Sequence, residues 1–144
     1  MAVTKIFPEK SATIYSQYPS LNSGNDEILE LSDNQNSLTS SQGTSEISRI
    51  LIQFLSSSVN DVLSTIGNTN YKVYLKMFLA NASALPLNYT IYCHPISGNW
   101  DRGTGRYDNT PQTTDGVSWK YKDDYTLWPV SSFVNSTGSY LNSN

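Results

Sequence analysis

Apolar residues that recur at every second position are the feature that most constrains what this chain can fold into. Three segments share this alternation: residues 71–79 (YKVYLKMFL), 87–96 (LNYTIYCHPI) and 116–121 (GVSWKY). A period of two places alternate side chains on opposite faces of a strand, so that one face can be buried. The long connection between the second and third segments contains Trp100 and Tyr107. Large aromatic side chains favour an ordered loop, held against a core or a partner.

Earlier segments extend this pattern along the chain. We predict further strands over residues 11–15, 27–31 and 48–54, with Ile50, Ile52 and Phe54 sharing one face of the last. Helical spacing of apolar residues predicts one short helix over residues 56–67, with Ser57 or Ser58 as its cap and Gly67 as its stop. Residues 33–46 are polar and predict a loop. Many short strands with turn-rich links predict an all-β fold, an antiparallel β-sandwich (jelly roll) with one short helix after the third strand.

Composition limits the classes of partner. The chain has 144 residues, which suits a single domain. Only 15% of its residues are charged and its net charge is −3, so it lacks the basic balance that nucleic acids and anionic membrane surfaces require. We therefore predict no nucleic-acid partner and no membrane partner. The sequence also shows no apolar run typical of a secretory leader or a membrane span.

The single cysteine and the single histidine do not predict catalysis. Cys93 falls on the apolar face of the predicted strand over 87–96, which indicates a small buried hydrophobic residue. His94 is its neighbour, so the two side chains point to opposite faces and cannot form a nucleophile–base pair. No serine stands out as a partner for His94, and no catalytic residue is predicted.

Carboxylates in the glycine-rich loop raise one metal hypothesis. Asp101 and Asp108 could offer hard oxygens to a structural calcium ion beside backbone carbonyls. The chain lacks the Asp-x-Asp-x-Asp-Gly pattern of a calcium loop. The alternative is that both carboxylates form turns or pair with Arg49, Arg102 or Arg106. No cofactor other than calcium is suggested.

Aromatic residues are the most informative candidates for contact. Trp119 shares a face with Val117 and is predicted to be a core residue. Trp100 and Tyr107 lie in the loop, and with Arg102 and Arg106 they form a predicted contact patch. Such residues stack on sugars in carbohydrate-binding modules, and they supply most of the binding energy at protein–protein contacts.

The order of these segments resembles a known group of domains. The resemblance runs through ATIYSQYPSLNSGNDEILEL (12–31), SRILIQF (48–54), YKVYLKMFLA (71–80), YTIYCHPISGNW (89–100) and GVSWKY (116–121). The resemblance covers about four-fifths of the chain. The order of the segments is similar to that of DNRLRE-type jelly-roll domains, which are related to carbohydrate-binding modules. The hexapeptide that names the group is absent. ALPLNYTIY, PISGNWDRGTGR and TTDGVSWKYKD resemble segments of structural proteins in the virions of T4-like tailed phages of marine bacteria.

This resemblance implies a function that spacing alone does not. It implies a non-enzymatic virion protein, a decoration or attachment module of the capsid, neck or tail that contacts other virion proteins in many copies. The alternative is a carbohydrate-binding module for host-surface glycans, and a hydrolase ranks last. The group adds two further strands after the segment that matches 116–121. We therefore expect residues 1–144 to be one sandwich domain that lacks its last strands, or that a neighbouring chain or a further C-terminal region completes.

Overall fold

The protein is seen in a computed structural model, which describes residues 3–34, 46–67, 71–82 and 90–128. The chain divides into two compact units. The first unit comprises Met1–Glu9 and Gln53–Cys93, and the second comprises Lys10–Ile52 and His94–Asn144. The prediction of one sandwich domain stays a prediction.

The second unit contains a small sheet. Its strands are β1 (Lys10–Tyr15), β2 (Asp33–Asn34) and β3 (Glu46–Gln53), in the order β1-β3-β2. β2 and β3 are antiparallel, with Asp33 opposite Ile47. The backbone N–H of Ser16, just after β1, donates to the carbonyl of Ile47 at 2.9 Å. The end of β1 therefore lies beside the start of β3, so this pair is antiparallel as well.

One apolar cluster forms the core of the second unit. The sheet contributes side chains from β1 and β3, and the irregular segment 94–128 contributes the remainder, including three tryptophans. Its buried members are Ala12, Ile14, Leu51, Trp100, Val117, Trp119 and Trp128, with Ile47 and Ile96 packed against them. Large indole rings supply most of the apolar area that segment 94–128 buries, so their burial holds this irregular segment on the sheet.

The first unit contains one helix, as predicted. α1 spans Ser56–Ile66 and ends at Gly67, whose φ of 79° is readily adopted by glycine. The Gly67 N–H donates to the Leu63 carbonyl at 2.9 Å, which closes the last turn. The predicted cap at Ser57 or Ser58 is wrong. The N-cap position is Leu55, which has no side-chain oxygen to bond to the first turn.

Two of the predicted strands are confirmed. The segments 11–15 and 48–54 correspond to β1 and β3. In β3, however, Leu51 lies in the core, whereas Ile50 and Ile52 remain partly exposed. Leu51 shares its side of the strand with Arg49, so alternation alone does not reveal that this side faces the core. That guanidinium lies over the Trp119 ring, 4.6 Å from its centre, and so is accommodated on the core side.

The strand predicted over residues 27–31 does not form. Side-chain hydroxyl groups of the neighbouring strands form hydrogen bonds with its backbone N–H and C=O groups instead. The Glu30 N–H donates to Thr13 Oγ1 at 3.0 Å, and Ser48 Oγ donates to the Glu30 carbonyl at 2.9 Å. Ile28 and Leu31 are exposed, so this segment buries little that would fix a strand register. Of the predicted polar loop, residues 35–45 lie outside the described part, and Asp33–Asn34 form β2.

The three segments with the strongest alternation are not regular strands either. Residues 71–79 belong to neither helix nor strand, and neither do 90–95 of the predicted strand over 87–96. Residues 87–89 lie outside the described part. Cys93 is exposed, so its predicted burial is wrong. In 116–121, Val117 and Trp119 are buried as predicted, but only Tyr121 pairs, in an isolated antiparallel bridge with Leu127.

An antiparallel sheet with one short helix is confirmed, whereas the β-sandwich (jelly-roll) arrangement stays a prediction. The described residues contain an antiparallel sheet followed by one short helix, and that helix comes after the third strand. Their only helix is 11 residues long, and no helix among them has the length and apolar character needed to cross a bilayer.

Candidate functional site

The side chain of Asn22 organises the loop that carries the predicted contact patch. Its amide nitrogen donates to the carbonyls of Arg102 and Val117, both at 2.8 Å. Its amide oxygen accepts from the N–H of Gly105 at 2.8 Å and from that of Gly24 at 3.3 Å. Asn22 is fully buried, and these bonds satisfy both of its polar atoms.

Arg102 strengthens the same attachment from the loop side. Its guanidinium donates to the Gly24 carbonyl through Nε and to Asn25 Oδ1 through Nη2, the latter at 2.9 Å. The Asn25 N–H donates in turn to the Gly105 carbonyl at 2.8 Å. Arg102, predicted to contact a partner, therefore uses two of its donor groups within its own unit.

Gly103 is required where the two segments meet. Its φ of 73° lies in the left-handed region, which side chains other than glycine rarely adopt. A Cβ at this position would also overlap the Asp115 carbonyl and the Asn22 side chain. The loop can therefore approach Asn22 closely only with glycine here.

Trp100 is buried, although the sequence predicts that it belongs to an exposed contact patch. Only 3% of its surface is exposed, and it belongs to the core cluster. Lys10 Nζ donates to the Trp100 carbonyl and lies 4.5 Å from the centre of its ring. The indole was expected to be free for a partner, but the sheet and segment 94–128 enclose it. Trp100 therefore cannot contact a partner while the core is intact.

Three tyrosines of the second unit pack their rings against one another near its surface. Tyr107 lies between Tyr15 and Tyr18, with ring centres 4.9 Å and 5.7 Å away, in tilted and edge-on arrangements. We call these three residues the tyrosine cluster. Tyr107 remains 45% exposed, so one side of the cluster is open to a ligand.

Carboxylates surround the tyrosine cluster and fix its position. Asp26 accepts the Tyr107 N–H through both oxygens, at 3.2 and 3.3 Å. Burial raises the pKa of Asp26 above its usual range, although the bond from Tyr107 opposes the shift. Arg106 forms an exposed ion pair with Glu27 at 3.5 Å. Both contacts attach the loop to the segment after Asn22.

Tyr15 has a hydroxyl whose pKa is raised above its ordinary value. Burial is the main cause that raises the pKa of its hydroxyl, and the nearby Glu30 carboxylate adds to the shift. The hydroxyl donates to Glu30 Oε2 at 3.1 Å. A phenol held neutral in this way is a hydrogen-bonding group and a ring surface, and it offers no reactive phenolate at ordinary pH.

A shallow, open depression of about 250 Å³ borders the cluster. Its lining combines two aromatic rings with amide, hydroxyl and carboxylate groups. The residues that line it are Tyr18, Tyr107, Asp108, Asn109, Thr110 and Gln112. Aromatic rings beside amides and carboxylates suit a ligand with apolar C–H faces and several hydroxyl groups.

The described residues do not bring together a cluster of ligands for the predicted calcium ion. Asp108 lines the depression, and the backbone of Asp101 bonds to Lys122 and Val117. Among the residues described, no group of three or more histidine, cysteine, aspartate or glutamate side chains could hold a metal ion. The pair Asp101 and Asp108 stays a prediction.

Asp123 closes a turn at the far end of segment 94–128. Its Oδ1 accepts the N–H of Thr126 at 2.7 Å and that of Tyr125 at 3.2 Å. These bonds, the Thr126 bond most of all, lower the pKa of Asp123 to about 2. The turn precedes Trp128, whose indole N–H donates to the Ser118 carbonyl at 3.0 Å within the core.

The first unit presents a different candidate surface. Every residue from 71 to 82 is exposed. We call residues 71–79 the apolar segment, because seven of its nine side chains are large, apolar and exposed: Tyr71, Val73, Tyr74, Leu75, Met77, Phe78 and Leu79. The two others are Lys72 and Lys76. Exposed apolar residues this close together typically mark a protein interaction site.

The sequence pattern predicts only part of this arrangement. It places Tyr107, Arg106 and Arg102 in the loop, but it does not indicate the residues that hold the loop or stack on it: Asn22, Asp26, Tyr15 and Tyr18. An Asn two residues before Gly24 reads as an ordinary turn. Nothing in the local pattern marks it as a buried hub.

Comparisons with protein-family models, with curated proteins and with solved structures found no match for this chain.

Proposed function

We propose that this protein is a non-enzymatic structural component of a tailed-phage virion, a decoration or attachment module of the capsid, neck or tail. The apolar segment is the observation that carries the proposal. Val73 and Phe78 are 82% and 84% exposed, and no acidic residue lies among residues 71–79. A soluble chain rarely leaves such a run uncovered, so protein contact is the function that best accounts for it.

The virion assignment itself rests on the resemblance of the segment order to jelly-roll domains of phage structural proteins. An assembly of many copies turns weak contacts into stable attachment through avidity. Its partners in this proposal are other virion proteins.

The test uses particles of a tailed phage that encodes this chain, purified on a density gradient. An antibody raised against residues 94–128 is used to follow the protein. It is expected to sediment with intact particles, and to remain attached after a high-salt wash, because apolar contacts are not screened by salt. Presence only in the soluble lysate fraction contradicts the proposal.

A second candidate function is favoured by the tyrosine cluster. Tyr18 and Tyr107 line the depression beside Asn109 and Gln112, a chemistry that suits binding of a pyranose by ring stacking and hydrogen bonds. In this alternative the protein is a carbohydrate-binding module for host-surface glycans. Trp100 takes no part, since it is buried.

A glycan array followed by calorimetry tests this alternative. If it holds, Tyr107→Ala abolishes binding of any sugar that the native chain retains. Tyr125→Ala is the matched control, because Tyr125 is 81% exposed and is not among the residues that line the depression. Absence of any array signal, or equal binding by the two variants, counts against the sugar site.

A further inference from the structure

The chemistry of the apolar segment is complementary to itself. Its residues alternate between a wholly apolar set (Tyr71, Val73, Leu75, Met77 and Leu79) and a set of two cations and two aromatic rings (Lys72, Tyr74, Lys76 and Phe78). Such alternation suits a strand. Yet no backbone hydrogen bond joins residues 71–79 to another residue of the described part. A strand needs a neighbouring strand to satisfy its N–H and C=O groups.

We infer that the apolar segment pairs antiparallel with the same segment of a second copy of this chain, in a two-fold register centred on Leu75. The inference rests on the proposed function, assembly through protein contacts, and names the first partner in it. A symmetric pair of strands uses one surface twice, as two-fold interfaces between identical chains do.

The register follows from the positions of the two lysines. With Leu75 opposite its own copy, Lys72 faces Phe78 and Lys76 faces Tyr74 of the second chain. Lysine over an aromatic ring is favourable, and within one chain Lys76 Nζ already lies 4.9 Å from the centre of the Phe78 ring. On the other face, Val73 meets Met77 and Tyr71 meets Leu79. Every cation then has a ring, and every other pair is apolar.

Other registers lose this match. A register centred on Tyr74 places Lys72 directly opposite Lys76 in both halves, and like charges in that position are destabilising. A shift of the centre by half a residue brings Val73 opposite Lys76 and mixes the two faces. A centre at Met77 places Val73 opposite Asn81. Of these registers, only the one centred on Leu75 places each lysine opposite an aromatic ring and leaves every other pair apolar.

A second copy also provides groups that can contact the two cations. The segment has two cations and no anion, and in this register the partner strand supplies two aromatic rings for them. A different protein would need its own matched pattern of rings or carboxylates. Capture by such a protein is an outcome that the experiment below distinguishes.

Cysteine cross-linking tests the register. Cys93 is exposed, so all variants carry Cys93→Ser to remove the native thiol. Leu75→Cys is expected to form a disulfide-linked dimer under mild oxidation, because the two sulfurs lie directly opposite each other. Val73→Cys is the matched control. Its two copies would stand about 13 Å apart, since they are offset by four residues, and this is too far for a disulfide. Joined with Met77→Cys, however, Val73→Cys should cross-link.

Two results overturn the register: equal cross-linking of Leu75→Cys and Val73→Cys, or none by Leu75→Cys. Sedimentation equilibrium provides the second measurement. Leu75→Lys is expected to weaken dimerisation by about tenfold or more, because two cations then meet on the symmetry axis. Phe7→Lys is its control, because Phe7 is an exposed apolar residue of the same unit that lies outside the segment. A monomeric native chain at every concentration overturns the inference.

The inference and the proposed function can fail separately. A monomeric chain that nevertheless sediments with purified particles removes the self-pairing and leaves the virion role, with another virion protein as the occupant. A chain that self-pairs as predicted but is absent from particles removes the virion role and leaves the pairing.

Discussion

The side-chain oxygen of Asn22 accepts a hydrogen bond from the backbone N–H of Gly105 at 2.8 Å, although 83 positions separate the two residues in the chain. The same side chain donates to the carbonyls of Arg102 and Val117. One buried amide thus satisfies backbone groups that would be bonded to a neighbouring strand in a regular sheet. Irregular backbone can be buried in this way because its polar groups are satisfied.

Asn22→Ala is expected to destabilise the second unit by about 2–4 kcal/mol, since it leaves buried carbonyl and N–H groups without partners. Asn22→Asp should be at least as harmful, because a carboxylate oxygen would then face the carbonyls of Arg102 and Val117. Urea unfolding followed by tryptophan fluorescence measures both effects.

Asn25→Ala is the matched control for this prediction. It removes an amide three residues away whose bonds, to Thr104 and from Arg102, are exposed. We expect a loss below about 1 kcal/mol, because exposed hydrogen bonds exchange with water. Equal losses at the two positions would contradict the role of Asn22 as the hub.

Trp100→Ala is expected to act on stability and not selectively on a ligand. The indole is 3% exposed in the core cluster, and removal of a buried tryptophan typically costs about 3–5 kcal/mol. Tyr107→Ala should cost about 0.5–1.5 kcal/mol, the scale of the ring contacts with Tyr15 and Tyr18 that it removes. Thermal unfolding compares the two. A Trp100→Ala chain that keeps native stability would show that the ring is not part of the core.

These residues illustrate what the sequence could predict. β1 and α1 follow from local signals: Ala12 and Ile14 at alternate positions, and Gly67 after a run with helical spacing. The alternation over residues 116–121 also predicts that Trp119 lies in the core on the same face as Val117, and both are buried. Three of the four side-chain bonds of Asn22 join residues 80 or more positions apart, so no local pattern contains them. The burial of Trp100 likewise depends on what covers the loop, and loop position alone does not reveal that.

The apolar segment illustrates the opposite error. Residues 71–79 carry the strongest strand pattern in the chain, yet they lie in no strand of the described part. Alternation reports which faces are apolar, whereas a strand also needs a neighbour to bond with. A strand pattern without a partner among the described residues is therefore informative about assembly.

Asp123 gives a prediction for acid conditions. Its pKa is lowered to about 2 in the folded chain, from an ordinary value of 3.8, because it accepts the Thr126 and Tyr125 N–H groups. Its charge therefore contributes stability above about pH 4, and this contribution is lost as the pH falls through about 2. The difference in unfolding free energy between the native chain and Asp123→Asn should shrink over that window. A difference that stays constant between about pH 5 and about pH 2 would contradict this assignment, because that range includes the ordinary pKa of 3.8 and reaches down to the lowered value.

Asp26 should show the opposite dependence. Burial raises its pKa in the folded chain, so its protonated form is favoured there. The stability linked to this proton is fully present below the ordinary pKa of 3.8 and is lost as the pH rises through the raised folded value. Asp26→Asn keeps an oxygen to accept the Tyr107 N–H and carries no charge at any pH. Relative to the native chain, this variant should therefore gain stability as the pH increases from acid to neutral. Urea unfolding of the native, Asp26→Asn and Asp123→Asn chains in the same buffers measures both trends. Each variant is the control for the other, because general effects of pH on stability cancel and the two pH trends relative to the native chain have opposite signs. A parallel trend in the two variants would show that burial does not govern Asp26.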